Sequence, residues 1–414
     1  MNADHLTTAV AEQAGWMEQL LAELVAAPTV LGNEEPGQRV MARAFADCGL
    51  EPRDVWLDAQ ALRAHPHSSP FSWEVASKRN VVADWRAGAA GGRSLILNGH
   101  IDVVPPAASA LWTGDPFTPR RDGDWLYGRG AGDMKAGLVA VAGAVRALRS
   151  TGVELAGDVQ LQSVVEEECT GNGALQCLID GAHADGCVLA EPHPDHLTIA
   201  QVGVIWFHVE VSGRPVHAAY AGTGHNAIDA AYTVLGALRE LEAELNSDPP
   251  PPYTTIAHPI NLNPGIVAGG DWTSTVPARC TLSCRLACYP GTDPYELRAR
   301  VEQTVASAVR ESPFEAMVRY DGFTCEGSIV PAGEPVVQML SWAYAQVHGE
   351  APALRPTTAT TDARHFIRSG IPAVCYGPRA ESIHGIDERV SLSSMMQCAE
   401  VLARFVVAWC GTAT

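Results

Sequence analysis

Residues 94–102 read Ser-Leu-Ile-Leu-Asn-Gly-His-Ile-Asp, an apolar run of strand length that stops at a histidine and an aspartate. Its aliphatic content and the glycine near its end predict a strand over 94–98. Residues 137–148 carry apolar positions at helical spacing, and residues 158–165 return to a strand-like run. Strand, helix, strand predicts an α/β sheet with parallel pairing, whose ligands gather at the carboxyl ends of its strands. Working outward, 80–84 and 373–376 are further strands. Residues 10–27, 38–48, 335–348, 362–369 and 393–409 are helices.

The pattern changes near Gln201. Residues 202–211 alternate like a half-exposed strand, 226–245 form a long amphipathic helix, and the proline run 249–252 predicts an extended linker. Strands at 260–267 and 276–286, a helix at 294–310 and a strand at 316–320 complete the order β-α-β-β-α-β, that of a ferredoxin-like unit inserted in a larger fold. A length of 414 residues leaves room for both.

Hydrophobic residues make up 47% and charged residues 18%, which is ordinary globular usage. The net charge of −19 is spread along the chain. It repels phosphate and anionic lipid, which argues against nucleic-acid or membrane binding. Residues 1–15 carry no leader pattern, and the most apolar stretch, 136–148, is too short to span a bilayer, so a cytoplasmic location is expected. Eleven cysteines, scattered from Cys48 to Cys410 with no C-x-x-C pair, read as reduced thiols. Cys280, Cys284 and Cys288 share one face of a strand and read as core.

Several strand ends offer groups for chemistry. His100 and Asp102 face the same way, so the carboxylate can fix the imidazole tautomer, although the pair also describes a structural contact. Gly128-Arg-Gly-Ala-Gly-Asp133 opens the 137–148 helix, where Asp133 is either an N-cap or a site residue. Glu166, Glu167 and Glu168 close the 158–165 strand, and adjacent carboxylates there repel unless a cation or a proton relieves them. Glu191 and His384 each follow a short apolar run. By contrast, Gly222-Thr-Gly-His-Asn-Ala follows a loop, which argues against a dinucleotide fingerprint. Two imidazoles with three carboxylates suit a pair of Zn²⁺-like ions bridged by one carboxylate.

In this order the motifs resemble those of the M20 metallopeptidase and deacylase family, which includes acetylornithine deacetylase, succinyl-diaminopimelate desuccinylase, aminoacylase and glutamate carboxypeptidase. The resemblance covers essentially the whole chain. It implies a mixed-sheet, dizinc exopeptidase-like α/β catalytic domain, residues 1–200 plus 325–414. Into it is inserted a ferredoxin-like α+β lid and dimerisation domain, residues 201–324. It implies that His100, Asp133 and Glu191 hold one divalent ion and Asp133, Glu168 and His384 the other, with Zn²⁺ expected and Co²⁺ or Mn²⁺ as substitutes. Glu167 is then the general base and Asp102 the carboxylate that orients His100, and the peptide after Asp133 is cis.

By the same resemblance His217, in residues 214–218, is the lid histidine that reaches the partner's site in a homodimer, and Arg285 and Asn226 bind substrate. The implied reaction is hydrolysis of an N-acyl amino acid or similar small amide by attack of a metal-bridged water. A dipeptidase or carboxypeptidase is the alternative, and an inactive binding or scaffold protein a distant one. The segment 54–78, with His65 and His67, is longer than the family's and reads as a surface loop that can also shape the pocket.

Overall fold

The apolar run around residue 96 becomes the strand Leu95–His100, all six of whose residues are buried, in a computed structural model that describes residues 3–88 and 91–413. It pairs in parallel with Val159–Val164 on one side and Cys187–Leu189 on the other. Strands covered on both faces need no polar alternation, which is why these read as continuous apolar runs. Parallel pairing also brings their carboxyl ends to one edge of the sheet. His100, the turn 166–168 and Glu191 therefore emerge side by side.

Among the described residues the sheet has nine strands and is mixed. Its order is Pro52–Trp56, Arg79–Trp85, Val159–Val164, Leu95–His100, Cys187–Leu189, Ala373–Cys375, His196–Gln201 and Ser328–Ile329, with Ala353–Thr357 also beside His196–Gln201. Arg79–Trp85 runs antiparallel to Val159–Val164, so the expected parallel pairing holds only in part of the sheet. The helix Ala136–Ser150, buried along nearly its whole length, packs against Leu392–Cys410 on one face.

The insert is an antiparallel sheet in the order Leu262–Gly269, Arg279–Cys288, Gly203–Ser212, Glu315–Arg319, with Thr324–Cys325 also on Gly203–Ser212. Ala227–Leu245 and Pro294–Val309 pack on it and on each other, completing the ferredoxin-like order. Its core, which includes Phe207, Val234, Leu282 and Val301, is a separate cluster from that of the larger body. The chain leaves the larger sheet at Gln201 and returns at Ser328, and these two residues are antiparallel partners.

A third, four-stranded sheet joins Arg120–Asp122 and Trp125–Tyr127 to Arg389–Ser391 and Ala380–Glu381. It sets the loop carrying His384 beside the glycine-rich loop that follows Tyr127. Its two- and three-residue strands carry no periodicity, so the sequence did not announce them.

Two local expectations are corrected. In place of one helix over 10–27 there are two, Ala3–Ala11 and Ala14–Ala26, because the Gln13 N–H turns back to Val10 O and breaks the i−4 ladder. The proline run is no extended linker: it turns into a short 3₁₀ segment, Tyr253–Thr255, whose Tyr253 is buried against Tyr289. All eleven cysteines are free and buried, including the three on the insert strand. No helix among the described residues is long and apolar enough to cross a membrane.

Candidate metal centre

Asp133 sits where the glycine-rich loop meets the helix, and its two carboxylate oxygens face two different imidazoles. Oδ1 is 3.2 Å from His100 Nε2, and Oδ2 is 3.3 Å from His384 Nε2. His384 Nε2 is also 3.0 Å from Glu168 Oε1. Ligand atoms of His100, Asp133 and Glu168 all lie within 4.8 Å of one another, the spacing of a cation site. Glu191, buried at its strand end, is near enough to feel the charges of His100, Asp133 and Glu168. The Asp133–Met134 peptide is cis, as the resemblance implies.

Burial and charge divide the protons unevenly. Burial opposes ionisation of Asp133, but hydrogen bonds from His100 and His384 outweigh it and hold the carboxyl well below the usual carboxylate range. Burial likewise opposes a charged His384, yet Glu168 and Asp133 raise its pKa to about 11. Glu191 is pushed up to about 8 by burial, helped by the Asp133 charge and opposed by His100. Burial, with Glu191, Asp362 and Glu168 nearby, also pushes Glu167 well above the ordinary glutamate value, against the pull of His100. A cluster with more carboxylates than imidazoles, in which Glu167 Oε1 is buried without a partner, fits divalent cations as the missing positive charge.

The role expected of Asp102 falls to a different atom. His100 Nδ1 donates to the Asp102 main-chain carbonyl at 2.9 Å, while the carboxylate oxygen stands off at 3.8 Å. A carbonyl can only accept, so the Nδ1–H tautomer is fixed and Nε2 is left free toward Asp133. The carboxylate instead accepts the Glu167 and Glu168 N–H groups at 3.2 and 3.1 Å and so shapes the acidic turn.

The glycine-rich loop is held from both ends. Glu388, 1% exposed, accepts the N–H groups of Gly130, Gly132 and Asp133 and pairs with the buried Arg129 at 2.6 Å. Lys135 Nζ donates to Leu24 O and Ala27 O. Gly130 has φ 77°, and a Cβ there would run into Val103. Glu388→Ala removes the partner of a buried arginine and of three loop N–H groups. It should cost about 3–5 kcal/mol, read as a lower urea midpoint at unchanged slope.

A cleft of about 640 Å³ lies in front of the cluster. Glu167, Glu168 and His384 form one wall, and Trp206, Arg285 and Phe323 of the insert form the other. Arg285 is directly across from Trp206 on the neighbouring strand and donates to Thr358 O at 3.2 Å. His217 and Asn226 do not line this cleft. His217 is exposed, with Nδ1 accepting from the Ala219 N–H, and Asn226 caps Ala227–Leu245 by accepting from the Ile228 N–H.

Sequence reasoning gave no role to Glu388, although it stands four residues after His384, and none to Lys78 or Asp362. Asp362 is fully buried near Glu167, neither of its oxygens has a hydrogen-bond partner although Arg364 Nη2 stands 3.8 Å from Oδ1, and burial, against the pull of Arg364, pushes its pKa up to about 6. No local pattern marks either Lys78 or Asp362.

The family model described as Peptidase family M20/M25/M40 matches residues 96–408. An N-formyl-4-amino-5-aminomethyl-2-methylpyrimidine deformylase of Bacillus subtilis is 31% identical over 347 residues, 77% of this chain and 79% of that protein. A succinyl-diaminopimelate desuccinylase of Paracoccus denitrificans is 29% identical over 79% of this chain and 85% of its own. Among solved structures, the di-peptidase Dug1p of Saccharomyces cerevisiae superposes with a TM-score of 0.82 over 100% of this chain and 99% of that one, at 14% identity.

Proposed function

Because the chain belongs to peptidase family M20/M25/M40, we propose that its carboxylate and imidazole cluster hydrolyses a small N-acylated amine or amino acid. It is a hydrolase of amide bonds. The observation that carries the site assignment is the convergence of His100, His384 and Glu168 on Asp133, with the unpartnered Glu167 Oε1 beside them at the cleft.

In this reading His100, Asp133 and Glu191 hold one divalent ion and Asp133, Glu168 and His384 the second. Zn²⁺ suits such a nitrogen and oxygen set, and Co²⁺ or Mn²⁺ can replace it. When bound, the ions supply Lewis acidity, lowering the pKa of a water and drawing charge from the scissile carbonyl oxygen. Glu167 takes a proton from that water on Oε1 and returns it to the departing nitrogen, which then leaves as an amine. Arg285 orients an anionic end of the substrate from the opposite wall.

Metal depletion and re-addition, followed on a panel of formyl, acetyl and succinyl amides and dipeptides, tests this reading. Hydrolysis that persists without metal sinks it. Cleavage of dipeptides alone would make the protein a dipeptidase, and an inert, metal-replete protein a binding homologue. The pyrimidine deformylase and the desuccinylase among its relatives make formyl and succinyl groups the first to try.

The same reading takes residues 1–200 plus 325–414 as the catalytic domain, 201–324 as a lid, and the protein as a cytoplasmic homodimer. Among the described residues the outer strand Leu262–Gly269 has an unpaired sheet edge with Ile266 and Val267 exposed, and Tyr232 is exposed on the neighbouring helix, a surface suited to a two-fold partner. His217 and Asn226, outside their own cleft, would serve the partner's. His217→Ala should lower turnover without lowering metal content. Mixed with Glu167→Ala subunits it should regain activity, since one hybrid site has both residues intact. No recovery after confirmed subunit exchange would leave His217 without a role across the interface.

A further inference from the structure

The segment 54–78 is more than a surface loop, because its second half is packed against the acidic turn. Ser69, 1% exposed, donates through Oγ to Thr170 O at 2.9 Å, and its N–H donates to Asn172 Oδ1. Trp73 Nε1 and Lys78 Nζ both donate to Glu166 Oε1, at 2.7 and 2.8 Å. Thr170 Oγ1 donates to Glu166 Oε2 at 2.9 Å. Both oxygens of the fully buried Glu166 are therefore satisfied from behind the turn. Its φ of 64°, unfavourable for a residue with a Cβ, aims it away from its neighbours, and only Glu167 and Glu168 line the cleft. Lys78 has one further carboxylate partner, the buried Glu34, at 2.8 Å.

Three consecutive glutamates would compete for the same cations. A Glu166 stripped of its ammonium would keep the neutral donors Trp73 and Thr170 but lose its countercharge, and as a buried anion beside the proposed cation cluster it would be relieved by turning toward it. We propose that Lys78 is a positioning residue for the hydrolytic site: by neutralising Glu166 from behind, it decides which two of the three glutamates face the cleft. The inference rests on the roles proposed above for Glu167 and Glu168.

The test compares two double variants that retain the same buried charge. Metal-free Lys78→Met, Lys78→Met/Glu166→Gln and Lys78→Met/Glu34→Gln proteins are titrated with Co²⁺, followed by its visible absorption, and kcat and KM are measured after loading. Lys78→Met should lose about 10–100-fold in metal affinity, and removing Glu166 as well should return it to within about threefold of the native protein. Removing Glu34 instead should not. In each variant kcat should follow metal affinity while KM moves little.

Native affinity in Lys78→Met overturns the proposal. So does equal recovery in both doubles, which would make total buried charge the cause, or recovery in neither, which would make Lys78 a packing group. If Lys78→Met does not fold, the two doubles carry the comparison, and a Glu166→Gln double that stays unfolded counts as no recovery. The underlying roles fail separately: with Lys78 intact, metal loss in Glu167→Ala and metal retention in Glu168→Ala would reject them whatever the doubles do.

Discussion

Asp133→Ala should empty both metal positions together and reduce amide hydrolysis to background. Its two oxygens serve two imidazoles that come from elements far apart in the chain, and among the described residues it is the one carboxylate within 4 Å of both. The loop should survive the change, because Glu388 grips the Asp133 N–H, which alanine retains. Metal analysis of the purified variant and its urea unfolding curve check the two statements independently. Retention of one ion per subunit would mean that the two positions do not share this carboxylate.

Glu167→Ala is expected to do the opposite to metal and nearly the same to catalysis. Its Oε1 has no partner, and its Oε2 is 3.8 Å from His100 Nε2, outside hydrogen-bond reach. On the proposed roles, removing it takes away proton transfer and leaves the proposed ligands His100, Asp133, Glu168, Glu191 and His384 in place. Turnover should fall about 10²–10⁴-fold, the range for loss of a general base, with metal content near that of the native protein. Glu168→Ala should lose metal, since Glu168 Oε1 is part of the His384 contact. The reverse pattern would move the base by one residue along the acidic run.

Much of this site was legible because its groups stand at the ends of strands that are long and apolar. Leu95–His100 and Val159–Val164 are buried throughout most of their length, so a histidine or a glutamate run at their ends is conspicuous. The ferredoxin-like insert was legible for a related reason: Gly203–Ser212 and Arg279–Cys288 alternate, one face on the core and one on the cleft, and two amphipathic helices intervene. What the sequence hid are partners brought together by tertiary structure alone. Arg129 and Glu388 are 259 residues apart, and Lys78 reaches Glu166 across 88. The exchange of roles at Asp102 was hidden too, because residue spacing says which side chains share a face but not that a main-chain carbonyl will be the nearer acceptor.

The pairing of Gln201 with Ser328 bears on how such a protein can change over evolutionary time. The insert enters and leaves through two hydrogen-bonded neighbours, so to the larger sheet it is one very long hairpin connection. Closing a connection costs only the logarithm of its length, about 0.6 kcal/mol for each doubling, and the insert has its own hydrophobic cluster to offset its own ordering. Lengthening, exchanging or deleting it at the level of the gene need not displace either flanking strand. The proposed metal-binding edge and the wall that the insert lends to the cleft can therefore diverge at different rates.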